Sequence, residues 1–142
     1  MAAFVFFQKF SEDFAGGIHD FDTHVFKFYL SNAAPDVAAD LVKADMAEIT
    51  AGNGYTTGGN ASTITLSRTG DTTTVLGTDP ATWTAAGGTI GPFRYAVFYN
   101  DTSASDSLIG YYDYGSAITL QIAETFTIDL HATNGIFIIN PS

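Results

Sequence analysis

"GPFRYAVFYNDT", residues 91–102, is the stretch whose reading decides the fold. From Phe93 to Tyr99 every position except Arg94 is aromatic or apolar. Side chains alternate between faces in an extended strand. Phe93, Tyr95, Val97 and Tyr99 are therefore expected on one face, with Arg94, Ala96 and Phe98 on the other. Both faces are largely apolar, which predicts a strand covered on both sides. Arg94 then needs a carboxylate, at the sheet edge or across a subunit contact, and we take the partner to be intramolecular.

Outward from that strand the chain keeps a β character. Downstream, Phe126, Ile128 and Leu130 share one face of a predicted strand, while Thr127, Asp129 and His131 share the other. Asn134-Gly135 then predicts a tight hairpin turn into residues 136–139. Upstream, residues 61–77 read as two strands around Thr69-Gly70-Asp71, and residues 81–92 as a strand that breaks at Gly87-Gly88. "AGNGYTTGGN", residues 51–60, is a loop. In "HVFKFYLSN", residues 24–32, Phe26, Phe28 and Leu30 alternate with Lys27 and Tyr29, a half-buried strand.

Two segments read as helical. Phe7, Phe10 and Phe14 are spaced by three and four residues before Gly16-Gly17, which predicts a short amphipathic helix with a glycine stop. Residues 33–49 carry a second short helix, partly irregular, with Asp36 as a cap after Pro35. About seven or eight short strands with turn signals between them predict an all-β chain. The expected architecture is one antiparallel β-sandwich domain over residues 1–142, of jelly-roll type, with one or two short helices near the N-terminus.

Composition bounds the function. The chain has 142 residues, with fifteen Asp+Glu against five Lys+Arg and a net charge of −10. No two cations lie within ten residues of each other, so phosphate neutralisation and direct nucleic-acid binding are not expected. There is no cysteine, hence no disulfide and no thiolate metal site. Lys9, Glu12 and Asp13 interrupt the apolar start too early for a signal peptide, and no run is long enough to span a membrane. A soluble protein made in the cytoplasm is expected.

The search for chemistry returns little. "HDFDTH", residues 19–24, places Asp20, Asp22 and His24 on one face if it is extended, but a metal needs further converging ligands, for instance His131. A polar turn or strand face is the preferred reading. "GNGYTTGG" lacks both the Lys-Ser/Thr ending and the spacing of a phosphate-binding loop. No nucleophile elbow surrounds Ser116. Asp113 with Glu124 is one of many carboxylate pairs that fifteen acids permit. Asp101 and Asp106 lie in a loop that fails the EF-hand pattern. No catalytic residue, metal or cofactor is expected. "GYYDYGS", residues 110–116, with Trp83, admits three readings: core, protein interface, or a sugar-stacking platform.

Five stretches taken in order resemble a known group. "AGNGYTTGG" (51–59), "ATWTAAGG" (81–88), "IGPFRYAVFYNDT" (90–102), "LIGYYDYGS" (108–116) and "ATNGIF" (132–137) are similar to segments of small virion proteins of tailed bacteriophages, the head decoration or cement proteins. The resemblance spans roughly residues 20–139 and is strongest over 51–116. Where that group carries paired tryptophans, this chain has Tyr111-Tyr112. The resemblance implies a non-enzymatic β-sandwich on the outer capsid surface, clamping neighbouring copies of the major capsid protein and self-associating as a dimer or trimer at symmetry axes. Trp83, Arg94, Tyr111, Tyr112 and Tyr114 are the candidate interface residues. A tail or fibre component and a carbohydrate-binding module are the competing readings.

Overall fold

The computed structural model describes residues 2–141. The strand at its centre, β7 (Ile90–Asn100), pairs on one side with β2 (Phe26–Ser31) and on the other with β8 (Leu108–Leu120). With β1 (Phe4–Phe6) and β3 (Asn60–Ser62) at the edges these make a five-stranded sheet in the order β1-β8-β7-β2-β3. A second sheet joins β4 (Ile64–Thr69), β5 (Thr72–Gly77) and β10 (Phe137–Ile139), and a short ribbon pairs β6 (Trp83–Thr84) with β9 (Thr125–Phe126). Every pairing is antiparallel. The fold is an all-β antiparallel sandwich, and its partition into five, three and two strands does not by itself make a jelly roll.

The two faces of the large sheet are covered differently. Phe26, Phe28, Leu30, Phe93, Phe98 and Ile109 pack in one buried cluster with Val75, Trp83, Ile128, Leu130 and Phe137 from the smaller layers. Tyr29, Tyr95, Val97, Tyr99 and Leu108 form a second cluster with Phe7 and Met46. Coverage of the central strand on both sides is therefore observed. The face assignment needs one correction, since Phe93 lies with Ala96 and Phe98, opposite Tyr95. Between Phe93↔Ile118 and Tyr95↔Asp113 the register shifts, so that β8 carries extra residues opposite β7, including Gly115 at φ 102. Between Ile90↔Leu120 and Phe93↔Ile118 it is β7 that carries the extra residue, so pairing is irregular on both sides of Phe93 and strict alternation does not hold there.

Other expectations are corrected by long-range pairing. The Phe-spaced helix is α1 (Phe10–Ala15), stopped at Gly16 and Gly17, but Phe7 precedes it and is buried in the second cluster. β1 was not legible as a strand. Residues 33–49 hold only a single 3-10 turn, Lys43–Asp45, in place of a helix. Asp36 does cap a turn, its Oδ1 accepting the backbone N–H groups of Ala38 and Ala39. Residues 127–130 keep their in-out alternation without joining a ladder. β10 pairs with β5, not with that segment. The turn before it closes from Gly135 N–H to the His131 carbonyl, longer than a two-residue hairpin. Gly135 has φ +67 and a Cβ there would lie 2.3 Å from the Val75 carbonyl oxygen, so only glycine fits.

Phe98 is fully buried, with ring centroids 4.7 Å from Phe28 and 5.6 Å from Phe26. Truncating such a side chain costs its burial and leaves a cavity. Phe98→Ala is expected to lower stability by about 3–5 kcal/mol, read from the urea midpoint. Phe14→Ala, at a site 40% exposed, is expected to cost less than about 1 kcal/mol.

Candidate interaction surface

The five candidate interface residues divide between core and surface. Trp83 is 1% exposed, stacked between Tyr55 and Phe126 at 6.3 and 6.1 Å. Tyr112 is buried against Phe4, 5.1 Å away, and Phe28, 6.1 Å away. Both rings belong to this chain's own core, which corrects the expectation that they face a partner. The cause is parity: Tyr112 lies on the inner face of β8, and the β6–β9 ribbon folds Trp83 inward. Tyr111 is half-buried on the opposite face, beside Phe7 and Tyr95. Tyr114 is 56% exposed and touches Phe126 edge-on at 6.0 Å.

Arg94 grips Asp113 from the neighbouring strand through two bonds, Nε to Oδ1 at 2.8 Å and one terminal nitrogen to Oδ2 at 3.1 Å. The partner is intramolecular. This hydrogen-bonded pairing holds the Asp113 carboxyl below its usual range and raises the Arg94 guanidinium. Both side chains remain over a third exposed, so the pair contributes little to stability.

Among the described residues, a cleft and a row of rings group apolar side chains at the surface. The first is a cleft of about 700 Å³ between the inner face of β8 and residues 126–132. Ala96, Tyr112, Phe126, Ile128 and Leu130 form its walls, and Asp113, Asp129 and His131 its polar rim. Ala2, just before β1, lies at one end. The second is a row of rings along β1 and α1: Phe6 to Phe10 at 5.0 Å, then Phe10 to Phe14 at 5.7 Å. Phe6 and Phe14 are 38% and 40% exposed. Sequence reading missed this row as a surface because it took Phe7, Phe10 and Phe14 as one buried helix face.

The metal-like string is a turn. Asp20 Oδ1 accepts the backbone N–H groups of Asp22 and Thr23, and its Oδ2 accepts the Thr23 hydroxyl. Among the described residues no group of three or more His, Asp or Glu side chains is placed to hold a metal ion. Asp101 pairs with Lys27 at 3.0 Å, Glu124 accepts from the Gln121 amide, and His131 Nδ1 accepts from Thr133 and Asn134. Burial and the nearby Asp101 charge push the Asp106 carboxyl up. These groups shape loops, and of them His131 also reaches the rim of the cleft.

A polar node that no sequence cue announced sits under the outer face. Glu48 is bound by Lys43 Nζ, by the Tyr55 hydroxyl at 2.6 Å and by the Gly58 amide at 2.7 Å. The Lys43 ammonium lies over the Tyr29 ring, 5.0 Å from its centroid. Burial, with the Glu48 carboxylate nearby, pushes the Tyr29 and Tyr55 hydroxyls well above their ordinary range. The node fastens the irregular segment over the large sheet. No family model, curated protein or solved structure matches the chain.

Asn100 gathers two histidines, its Nδ2 lying 3.1 Å from His19 Nδ1 and 3.0 Å from His24 Nδ1. His19 is 7% exposed, beside the rings of Phe10, Phe21 and Phe26. Burial lowers its pKa to about 4, against an opposing pull from Asp13. The folded state thus favours neutral His19, while the unfolded chain protonates it near pH 6.5. Stability from this residue is full above that value and is lost as pH falls toward 4. Between neutral pH and about pH 4.5 the loss is expected to be about 2 kcal/mol. Urea midpoints across that window check it, and His19→Gln is expected to flatten the slope.

Proposed function

We propose that this protein is a structural component of a virion, a decoration protein that cements a bacteriophage capsid by binding across neighbouring copies of the major capsid protein. The row of half-exposed rings along β1 and α1 carries this reading. Large rings left at a surface mark contact with another protein, and Phe6, Phe10 and Phe14 present them as one strip. The ordered sequence segments similar to head decoration proteins supply the kind of partner.

The physics of the role is differential binding. A shell filled with nucleic acid is pushed outward and fails where subunits part. A protein that bridges the seam stabilises the closed lattice by its greater affinity for that state. Many weak contacts on one lattice add avidity, and a symmetric shell suits a dimer or trimer placed on its local axes. The chain works on this reading by holding, with no covalent step.

Copy number and position in purified particles test the proposal. Stoichiometric occupancy of the head lattice is the expected outcome; a few copies at the tail, or none in mature particles, would overturn it. The Phe6→Ser, Phe14→Ser double variant is expected to fold and to bind expanded empty capsids about tenfold or more weakly, from the loss of roughly 1–3 kcal/mol of apolar burial per ring. Co-sedimentation with empty capsids measures it.

A further inference from the structure

We propose that the outer edge of β4 is a dimer contact, at which two copies of this chain pair their β4 strands antiparallel about a two-fold axis at Leu66. The contact belongs to the isolated chain and does not depend on the capsid reading.

β4 is the last strand of its sheet. It pairs with β5 in unbroken register from Ile64↔Gly77 to Thr69↔Thr72. The Thr78 amide donates to the Thr63 carbonyl, which fixes the parity of the ladder. Facing residues of an antiparallel pair exchange hydrogen bonds at every second position. Thr65, Ser67 and Thr69 therefore turn their N–H and C=O groups toward β5, while Ile64, Leu66 and Arg68 turn theirs outward. No loop or side chain among the described residues binds those outward groups. From Thr65 to Thr69 the strand is exposed. The other edge strands are less suited: β1, β3 and β10 have 3 residues each, and β8 is bulged. β4 presents 6 residues with neither bulge nor proline, and such an edge is a template for another strand.

The side chains leave the same edge unfinished. Leu66 lies opposite Val75, which lies opposite Phe137, and both partners are buried. Directly paired residues share a face of the sheet, so Ile64, Leu66 and Arg68 lie on the core side. Leu66 is nevertheless 41% exposed, because its row ends at the sheet edge. A strand added there covers that flank and uses the free backbone groups together.

Charge and symmetry select a second copy as the occupant. Each chain carries a net charge of −10, yet residues 49–67, the longest stretch free of charged residues and histidine, lead into this edge. Two acidic copies meet here with the least repulsion. A two-fold axis at Leu66 sets it opposite Leu66 of the second copy, and Ile64 opposite Arg68 of the second copy. Each outward-facing residue is thereby matched with another outward-facing residue, in an isologous contact. The cation of the strand is turned aside, since the Arg68 guanidinium donates to the Gly70 carbonyl of its own hairpin at 2.8 Å.

The test uses the full chain. Sedimentation equilibrium from about 1 to about 200 µM is expected to show monomer and dimer with a micromolar dissociation constant. Residue-resolved amide exchange is then compared between dilute and concentrated solution. Ile64, Leu66 and Arg68 are expected to slow at least about threefold on concentration, while Thr65, Ser67 and Thr69 stay unchanged. Leu66→Lys sets like charges across the axis and is expected to weaken the dimer about tenfold or more. If that variant does not fold, the alternating exchange pattern of the parent chain decides. The chain has no cysteine, so Leu66→Cys places one thiol per copy at the axis. Facing Cα atoms of a hydrogen-bonded pair stand about 5.5 Å apart, within disulfide reach. Air oxidation is expected to link Leu66→Cys at least about tenfold faster than Ile122→Cys, a variant at an exposed site outside the strand. A chain still monomeric at about 200 µM, exchange that slows equally over residues 64–69, or equal cross-linking of the two cysteine variants would each overturn the proposal. So would slowing at Ile64, Leu66 and Arg68 that appears only when empty capsids are added, which gives the edge to a capsid subunit.

Discussion

The large sheet is sealed on both faces, but by different materials, and the side chains of β7 register the difference. Phe93 and Phe98 face the smaller sheets, together with Phe26 and Phe28. Tyr95 and Tyr99 face the irregular segment around Met46, together with Tyr29. A strand layer satisfies its own backbone, so bare rings suffice against it. An irregular segment laid over a core brings carbonyl and amide groups that need partners. Tyrosine supplies area and a hydroxyl at once. Tyr29 donates to the Met46 carbonyl at 3.0 Å, and Tyr99 to the Gly58 carbonyl at 2.7 Å.

The same constraint explains the Glu48 node and the smaller stitches around it. Ser31 Oγ donates to the Ala47 carbonyl, Ile49 N–H to Leu30, and Leu108 N–H to Leu41. A carboxylate this enclosed is costly unless paired and hydrogen-bonded. Lys43, Tyr55 and Gly58 meet that need. With its outer face closed in this way, the large sheet has no uncovered central face to offer. What it leaves half out of the core are the phenylalanines of β1 and α1 at its margin.

Much of the fold was legible because local periodicity carries burial. Continuous apolar character over 93–99 announced a strand covered twice, and alternation over 26–30 announced its neighbour. Thr69-Gly70-Asp71 marked the hairpin between β4 and β5 by turn chemistry alone. The site was less legible. Arg94 announced its need for a carboxylate, yet nothing nearby in sequence singled out Asp113. Trp83 and Tyr112 read as surface or core with equal ease, because an aromatic ring fits both. Residues 33–49, with Asp36 as a cap after Pro35, read as a helix, but a segment short of helix-stabilising contacts follows the bonds that tertiary neighbours offer.

What the sequence determined on its own were quantities set within a few residues: the β class, the glycine stops, the double burial of the central strand, and the charge that argues against nucleic acid. What only the tertiary structure decided were relations between distant residues. The ladder between β7 and β8 shifts register on both sides of Phe93, which lies on the face opposite Tyr95, and β10 chose β5 over its sequence neighbour. The physical reason is that strand pairing is closed by backbone groups identical in every residue. Which edge meets which is settled by the packing of the whole core, and no local pattern records it.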